Sequence, residues 1–249
     1  MKEKYISVKY GKVFLRIDNE TVTEKSLIFL HGFGMDLSTF DNLVKQFTDF
    51  KVIRFDFLGF GKSSDPVKPI GIKEYGELLD EVVKRYCGES KIYLLGHSFG
   101  GRVCIYYASK NKVEKVFLVN AKALKNKSIK HKIGIIKYKI KKNFLKLFNK
   151  NKYIDYIRKN GSRDYKMLND VMKKSFVKVV NYDLKRKLKR IKNDVIIIGS
   201  LFDKEVKYEE TLLINKYIKN SKLYPCYNSG HFTYIQEEAK IINIIRREL

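Results

Sequence analysis

The segment around Ser98 limits the possible folds of this chain more than any other feature. A short apolar run, residues 91–95, leads directly into residues 96–100, Gly-His-Ser-Phe-Gly, and a helical pattern follows. A serine between two such glycines, after a strand and before a helix, is typical of a nucleophile elbow. The turn is so sharp that the serine backbone is strained and the positions two residues away tolerate only small residues. We therefore predict that the Ser98 hydroxyl projects above a sheet, beside a helix N-terminus whose amide dipoles favour an anion.

The rest of the hydrophobic pattern predicts an α/β fold with a mainly parallel, doubly wound sheet. Outside residues 122–192, short β-type runs alternate with helical periodicity, as expected for strands covered by helices on both faces. Strands are predicted at residues 5–9, 12–17, 26–30, 51–55, 91–95, 113–119, 194–198 and 222–226, and helices at residues 40–47, 75–86, 103–108, 205–218 and 233–248. With 249 residues, 44% of them hydrophobic, the chain is long enough for one substantial core.

A basic segment interrupts this pattern and contains most of the charge of the chain. Residues 122–192 contain 25 lysines and arginines against four aspartates, a net charge of +21 out of +25 for the whole chain. Apolar residues share one face of a predicted helix in this segment: Ile136, Ile140, Phe144 and Leu147. Further helices are expected at residues 153–159, 165–180 and 184–191. We interpret the segment as a helical cap, inserted in an α/β core formed by residues 1–121 and 193–249.

Three hypotheses account for the charge of this segment. A basic cap near the edge of the sheet would attract an anionic substrate. An interfacial helix would instead contact an anionic membrane surface. The third hypothesis is compositional, since the whole sequence is rich in Lys, Ile, Asn and Tyr. Nucleic acid is not expected as a partner, because no recognised nucleic-acid motif accompanies the basic residues.

A serine nucleophile needs a base and an orienting acid from elsewhere in the chain. His231 lies in a turn after the last predicted strand, and Asp203 lies on the loop after the strand before it, which gives the chain order Ser, Asp, His. Asp194 starts that same strand at its opposite end, and the neighbouring strand is followed by Asn120 rather than by an acid. We therefore predict Ser98, Asp203 and His231 as the catalytic residues.

Backbone amides are predicted to stabilise the oxyanion that such a nucleophile generates. Residues 31–34, His-Gly-Phe-Gly, follow the third predicted strand at the same edge of the sheet as the serine. The N–H groups of Phe33 and Phe99 are the predicted donors. No cofactor and no metal is expected, since the four histidines show no metal-ligand spacing.

The cysteines and the N-terminus bear on the cellular compartment. Cys87, Cys104 and Cys226 form no CxxC pair and have apolar neighbours, so we expect reduced, packed thiols. The first residues contain charges without a following apolar stretch, and no apolar run reaches the roughly 18 residues that cross a bilayer. We expect a cytoplasmic protein.

Together these motifs resemble the α/β-hydrolase superfamily, in the form of a serine hydrolase with a helical cap. The resemblance rests on the three predicted catalytic residues, on residues 31–34, and on residues 55–63, Phe-Asp-Phe-Leu-Gly-Phe-Gly-Lys-Ser. It implies the α/β-hydrolase fold, with residues 55–63 as a loop beside the site in which Asp56 and Ser63 are structural. A serine nucleophile disfavours the haloalkane dehalogenase and epoxide hydrolase branches.

One fold supports many reactions, so three hypotheses for the activity stay open. The first is an esterase or thioesterase that forms an acyl-enzyme on Ser98 and takes a small-molecule acyl substrate. The second is a C–C bond hydrolase, or a lyase resembling the menaquinone-pathway enzymes of the superfamily, in which Gly-Gly-Arg also follows the nucleophile, as at residues 100–102. The third is a non-catalytic binding member, which the complete set of predicted catalytic residues disfavours.

Overall fold

An eight-stranded sheet forms the centre of the protein, for which the computed structural model describes residues 1–125 and 168–249. The strands are β1 Lys2–Val8, β2 Gly11–Asp18, β3 Lys25–Leu30, β4 Lys51–Phe55, β5 Lys91–His97, β6 Lys115–Val119, β7 Asp194–Ser200 and β8 Ser221–Cys226. Their order is β1-β2-β4-β3-β5-β6-β7-β8. β1 and β2 are antiparallel to their neighbours, and every pair from β4 to β8 is parallel. The predicted α/β class with a mainly parallel sheet is therefore confirmed.

Helices follow the strands along the chain. They are α1 Asp41–Val44, α2 Ile72–Tyr86, α3 Phe99–Ala108, α4 Asp170–Asn181, α5 Lys185–Leu188, α6 Tyr208–Tyr217, α7 Thr233–Gln236 and α8 Glu238–Glu248, with a 3₁₀ turn at Leu37–Phe40 before α1. The predicted helix at 40–47 is thus present only as the short α1. Among the helices of residues 1–125 and 168–249, none combines the length and apolar character that a membrane span requires.

Side chains of the central strands enter two separate cores, one on each face of the sheet. In β5, Leu94 packs in the core that contains α2 and α3, whereas Tyr93 and Leu95 pack in the core that contains α1 and α8. This alternation is the two-residue period of an extended strand. Because β5 is apolar on both faces, it can lie in the middle of the sheet.

The parallel strands bring the predicted site residues to one edge of the sheet. Carboxyl ends of parallel strands meet at the same edge, and ligands of open α/β sheets bind there. Phe33 follows β3, Ser98 follows β5, Asp203 follows β7 and His231 follows β8. Residues that are far apart in the sequence therefore share one edge.

Two glycines let α3 start very close to the sheet. A Cβ atom on Gly100 would lie 2.0 Å from the carbonyl oxygen of Leu30 in β3. A Cβ atom on Gly96 would lie 2.6 Å from the carbonyl carbon of Gly100. Both obstacles are backbone atoms, which cannot rotate away as the end of a side chain can.

Two predicted helices have different boundaries in the structure, in each case where a carboxylate side chain accepts main-chain hydrogen bonds. The predicted helix at 205–218 begins only at Tyr208, because Asp203 Oδ1 accepts the next main-chain N–H groups and organises a turn of its own. The predicted helix at 233–248 is divided at Glu237, whose φ of −123° and ψ of 43° are not helical and whose carboxylate accepts hydrogen bonds from the preceding loop. Hydrogen bonds to side chains thus override the helical periodicity of the sequence.

The basic segment is described only near its ends. The predicted helices around 136–147 and at 153–159 lie outside the described residues. α4 occupies much of the predicted helix at 165–180, and α5 lies within the predicted helix at 184–191. The extent of the cap, residues 122–192, stays a prediction.

We predict that Gly100→Ala strongly destabilises the protein, because its methyl group would collide with the backbone of β3. Overpacking of this kind typically costs 1–3 kcal/mol, and a backbone obstacle places the expected loss in free energy of unfolding at about 3 kcal/mol or more. Urea unfolding of the variant and the parent measures this loss. Gly230→Ala is the matched control, since the nearest atom to its added Cβ is 3.8 Å away. Equal unfolding midpoints for the two variants would contradict the prediction.

Candidate active site

Ser98 lies in the turn between β5 and α3, in a strained backbone conformation. Its φ is 50° and its ψ is −107°, a combination that residues with a side chain rarely adopt. Its N–H donates to the carbonyl oxygen of Val119 at 3.0 Å, which attaches the turn to β6. The strand, turn and helix that the sequence predicts around this serine are all present.

The structure brings Asp203 and His231 into direct contact. His231 Nδ1 lies 2.7 Å from Asp203 Oδ2. The other oxygen, Oδ1, accepts the N–H groups of Glu205 and Val206 at 2.8 and 2.9 Å. A carboxylate can only accept hydrogen bonds, so this contact assigns the imidazole proton to Nδ1 and leaves Nε2 as a proton acceptor.

Asp203 is held in its ionised form. Its side chain is buried, and burial by itself raises the pKa of a carboxyl group. The hydrogen bonds from His231 and from the amides of Val206 and Glu205 outweigh burial, so the pKa of Asp203 lies below its ordinary value. The carboxylate can therefore orient the imidazole and stabilise its positive charge without taking up the proton.

Asn120, directly after β6, connects the end of β7, which leads to Asp203, with the loop that contains His231. Its Nδ2 donates to the carbonyl oxygens of Gly230 and His231 at 3.1 and 2.9 Å, and to Thr233 Oγ1 at 2.8 Å. Its Oδ1 accepts the N–H of Ser200 at 2.9 Å. In the sequence, Asn120 stands out only as the absence of an acid after the strand. Its position at the carboxyl end of a parallel strand was the signal that could have identified a positioning role.

The buried histidines beside the site serve as structural groups. His97 Nε2 lies 2.9 Å from the carbonyl oxygen of His231, and burial together with the nearby His231 lowers the pKa of His97 to about 3. Burial also lowers the pKa of His31 to about 4; its Nε2 accepts the N–H of Phe57 at 3.0 Å. Both imidazoles are therefore neutral near pH 7.

Phe33 and Phe99 present main-chain N–H groups at the edge of the sheet that contains Ser98. Phe99 is the first residue of α3, where an N–H has no partner within the helix. Neither amide donates to an acceptor within residues 1–125 and 168–249. Two unused donors that follow the ends of β3 and β5 suit an oxygen anion.

Aromatic rings form an apolar wall beside these amides. The Phe33 ring packs edge-on against Phe60 and Phe176, with centroid distances of 4.7 and 4.9 Å. Phe176 belongs to α4, and Met172 of the same helix packs so closely on Gly59 that an added Cβ would lie 2.2 Å from its sulfur. This wall suits an apolar group of a substrate.

Asp56 and Ser63 organise the loop after β4. The Asp56 carboxylate accepts the N–H groups of Leu37 and Lys62, each at 2.7 Å. Ser63 Oγ donates to the carbonyl oxygen of Asp56 at 2.7 Å and accepts the N–H of Phe14 at 2.9 Å. Both side chains are thus occupied by the backbone, as a structural role requires.

Metal ligands do not cluster in the part of the chain that the structure describes. No three His, Cys, Asp or Glu side chains within residues 1–125 and 168–249 could jointly hold a metal ion. Cys87, Cys104 and Cys226 are buried free thiols. Burial raises the pKa of Cys226 to about 11, which keeps its thiol protonated and unreactive near pH 7.

The lowered pKa of Asp203 predicts an acid-dependent contribution to stability. A carboxyl group whose pKa falls on folding stabilises the protein above its unfolded pKa, near 3.8, and loses this contribution as the pH falls through the folded pKa. Asp203→Asn should therefore flatten the acid limb of a plot of urea midpoint against pH. Asp170→Asn, at a side chain that is 95% exposed, is the matched control and should follow the parent. Parallel acid limbs for all three proteins would contradict the prediction.

Comparison with known proteins points to one family. The family model described as the alpha/beta hydrolase fold matches residues 25–157, which is more than half of the chain. Proline iminopeptidase from Saccharolobus solfataricus is 26% identical in an alignment of 289 residues that covers 99% of this chain and 91% of that protein. Lipase 1 from Psychrobacter immobilis is 29% identical over 121 residues, 47% of this chain and 38% of the lipase. The chain thus aligns with well under half the length of that lipase.

Solved structures share the fold over nearly the whole chain. A hydrolase from Pseudomonas aeruginosa PA01 superposes with a TM-score of 0.77 at 19% identity, covering 98% of this chain and 96% of that one. MenH from S. aureus superposes with a TM-score of 0.71 at 20% identity, covering 96% and 97%. Identities this low support the fold alone. The mainly parallel sheet, the match of the family model and these structural neighbours together show that the chain belongs to the α/β-hydrolase family.

Proposed function

We propose that this hydrolase cleaves a carboxylic ester or thioester through an acyl-enzyme intermediate on Ser98. The observation that carries the proposal is the 2.7 Å contact between His231 Nδ1 and Asp203 Oδ2, on loops at the same sheet edge as the strained Ser98 turn. A buried carboxylate that fixes the imidazole tautomer, at the same sheet edge as a serine in a strained turn, supports the constellation that acyl transfer requires.

The proposed reaction begins with attack by Ser98 Oγ on the acyl carbon. His231 Nε2 takes the hydroxyl proton, and Asp203 stabilises the resulting imidazolium. The main-chain N–H groups of Phe33 and Phe99 donate to the oxyanion of the tetrahedral intermediate. The imidazolium then gives its proton to the departing alcohol or thiol, and a water molecule repeats the sequence to release the acid and restore the serine.

The surroundings of the site support an acyl substrate. The rings of Phe33, Phe60 and Phe176 offer an apolar surface, which suits the hydrocarbon part of an ester better than a strongly charged group. The similarity to Lipase 1 from Psychrobacter immobilis also supports an ester substrate. The alternative, a lyase or C–C bond hydrolase, rests on the resemblance at residues 100–102, Gly-Gly-Arg. In the structure, the Arg102 guanidinium donates to main-chain carbonyl oxygens in the interior. That arginine is therefore not a substrate ligand in this conformation, and the ester remains the first choice.

Replacing Ser98 tests the nucleophile. Ser98→Ala should abolish turnover of p-nitrophenyl acyl esters and labelling by a fluorophosphonate probe, because the attacking oxygen is lost. The fold should persist, since the Ser98 hydroxyl makes no hydrogen bond to residues 1–125 or 168–249, the part of the chain that the structure describes. Ser7→Ala, on an exposed position of β1, is the matched serine control and should keep both signals. Labelling of a serine other than Ser98 in the parent would refute the assignment.

Replacing the acid and the base tests their separate roles. Asp203→Asn should lower kcat about 10⁴-fold if the carboxylate fixes the tautomer, and His231→Ala should be about as damaging as loss of the serine. The double variant of Asp203 and His231 should be no slower than His231→Ala, because the residues act as a unit. Steady-state kinetics on one ester measures all three. Losses that multiply in the double variant would argue against Asp203 and His231 acting as a unit.

A further inference from the structure

Arg102 is a buried cation one turn after the nucleophile. It lies in the first turn of α3 and is 5% exposed. Burial lowers the pKa of its guanidinium to about 10, while Glu210 and Asp183 act in the opposite direction, so the group stays charged near pH 7. A charge in this position needs compensating contacts.

Those contacts are main-chain carbonyl oxygens from two other segments. Nη1 donates to Lys122 at 2.7 Å, in the segment after β6. Nη2 donates to Val179 at 2.9 Å and to Tyr182. Val179 lies in the last turn of α4 and Tyr182 is its C-cap, so the cation lies at the carbonyl end of the helix, where the dipole is negative. The Val179 carbonyl oxygen also accepts the N–H of Tyr182 at 3.2 Å.

These hydrogen bonds are poorly explained by stability alone. Nε of Arg102 is buried without a partner among the described residues, so the guanidinium is only partly satisfied. An apolar side chain of similar volume often stabilises a protein as well as a buried charge does. What a guanidinium provides here, and an apolar side chain would not, is a set of hydrogen bonds that hold the end of α4 in a fixed position relative to α3.

α4 connects this contact to the proposed oxyanion site. Phe176 precedes Val179 by three residues, so both lie on the same side of the helix. The Phe176 ring packs on Phe33, whose amide is a proposed oxyanion donor, and the Phe33 ring in turn lies 5.8 Å from Phe99. A shift at the end of α4 would thus reach both donor residues through packed rings.

We propose that Arg102 is a positioning residue for the reaction at Ser98: it fixes the end of α4 so that Phe176 packs on Phe33 and holds its amide in place. The inference rests on the proposed function, because it assigns an effect on the rate of that reaction. It differs from a substrate-binding role, since among the described residues the guanidinium donates to backbone carbonyl oxygens alone. Its expected signature is a loss in kcat with little change in KM, because oxyanion donors act on the transition state.

The test uses Arg102→Met, which keeps the volume and removes the donors. We expect kcat for p-nitrophenyl acetate to fall about 10-fold or more with KM within about twofold, in line with the large effect of small misplacements. Hydrogen exchange of the amides in residues 170–182 should become faster. Arg102→Lys should recover part of kcat, because it restores a cation with fewer donors. Arg85→Met, which removes an exposed arginine bonded to the Ser7 carbonyl oxygen, is the matched control and should leave kcat unchanged.

A double-variant cycle with Phe176→Ala distinguishes positioning from general destabilisation. If Arg102 acts through Phe176, the double variant should be no slower than the slower single variant. An unchanged kcat in Arg102→Met, or losses that multiply in the double variant, would overturn the role of Arg102 while an active parent upholds the proposed function. A parent that neither turns over the ester nor reacts with a fluorophosphonate would refute the proposed function, and this inference with it.

Discussion

The close approach of α3 to β3 is the constraint on which the site depends. Gly100 lies so near the carbonyl oxygen of Leu30 that no side chain fits between helix and strand. That contact forces the sharp turn at Ser98, with its positive φ, and sets the first amide of α3 beside the loop that follows β3. One backbone-to-backbone contact thus places the serine hydroxyl and the amides of Phe33 and Phe99 at the same edge. The strain at the serine is maintained because both flanking segments are buried.

The acid and the base depend on a second set of contacts, which centres on Asn120. The loops after β7 and β8 contain Asp203 and His231, and the hydrogen bond between these side chains is supported by contacts closer to the sheet, such as that from Ser200 Oγ to the Ser229 carbonyl oxygen. The asparagine uses both ends of its amide, accepting from Ser200 at the end of β7 and donating to the His231 carbonyl oxygen after β8. An acid at this position could not donate to those carbonyls. Asn120 stands where another acid could have been, and its amide hydrogen bonds help to fix the geometry of the Asp203–His231 pair.

Much of the fold, and the placement of Ser98, Asp203 and His231 at one edge of the sheet, could be predicted from the sequence, because the signals are local or follow chain order. The turn at Ser98 is encoded within five residues, and the parallel sheet explains why loops after β7 and β8 supply Asp203 and His231. The position of Asn120 after β6 is a sequence signal, but the partners that Asn120 and Arg102 contact in distant segments have none, so these hydrogen bonds are seen only in three dimensions. Helix ends shifted where a carboxylate competed for main-chain N–H groups, as Asp203 does before α6.

The protonation states of the buried groups leave one imidazole nitrogen available for proton transfer among the described histidines. His31 uses both ring nitrogens, with Gly32 and Phe57 as partners. His97 donates through Nε2, and its pKa of about 3 means that the buried Nδ1 takes up no proton near pH 7. His231 Nδ1 is occupied by a carboxylate that stays ionised. Its Nε2 is the remaining acceptor, so burial of the other two imidazoles restricts proton transfer to the one that Asp203 orients.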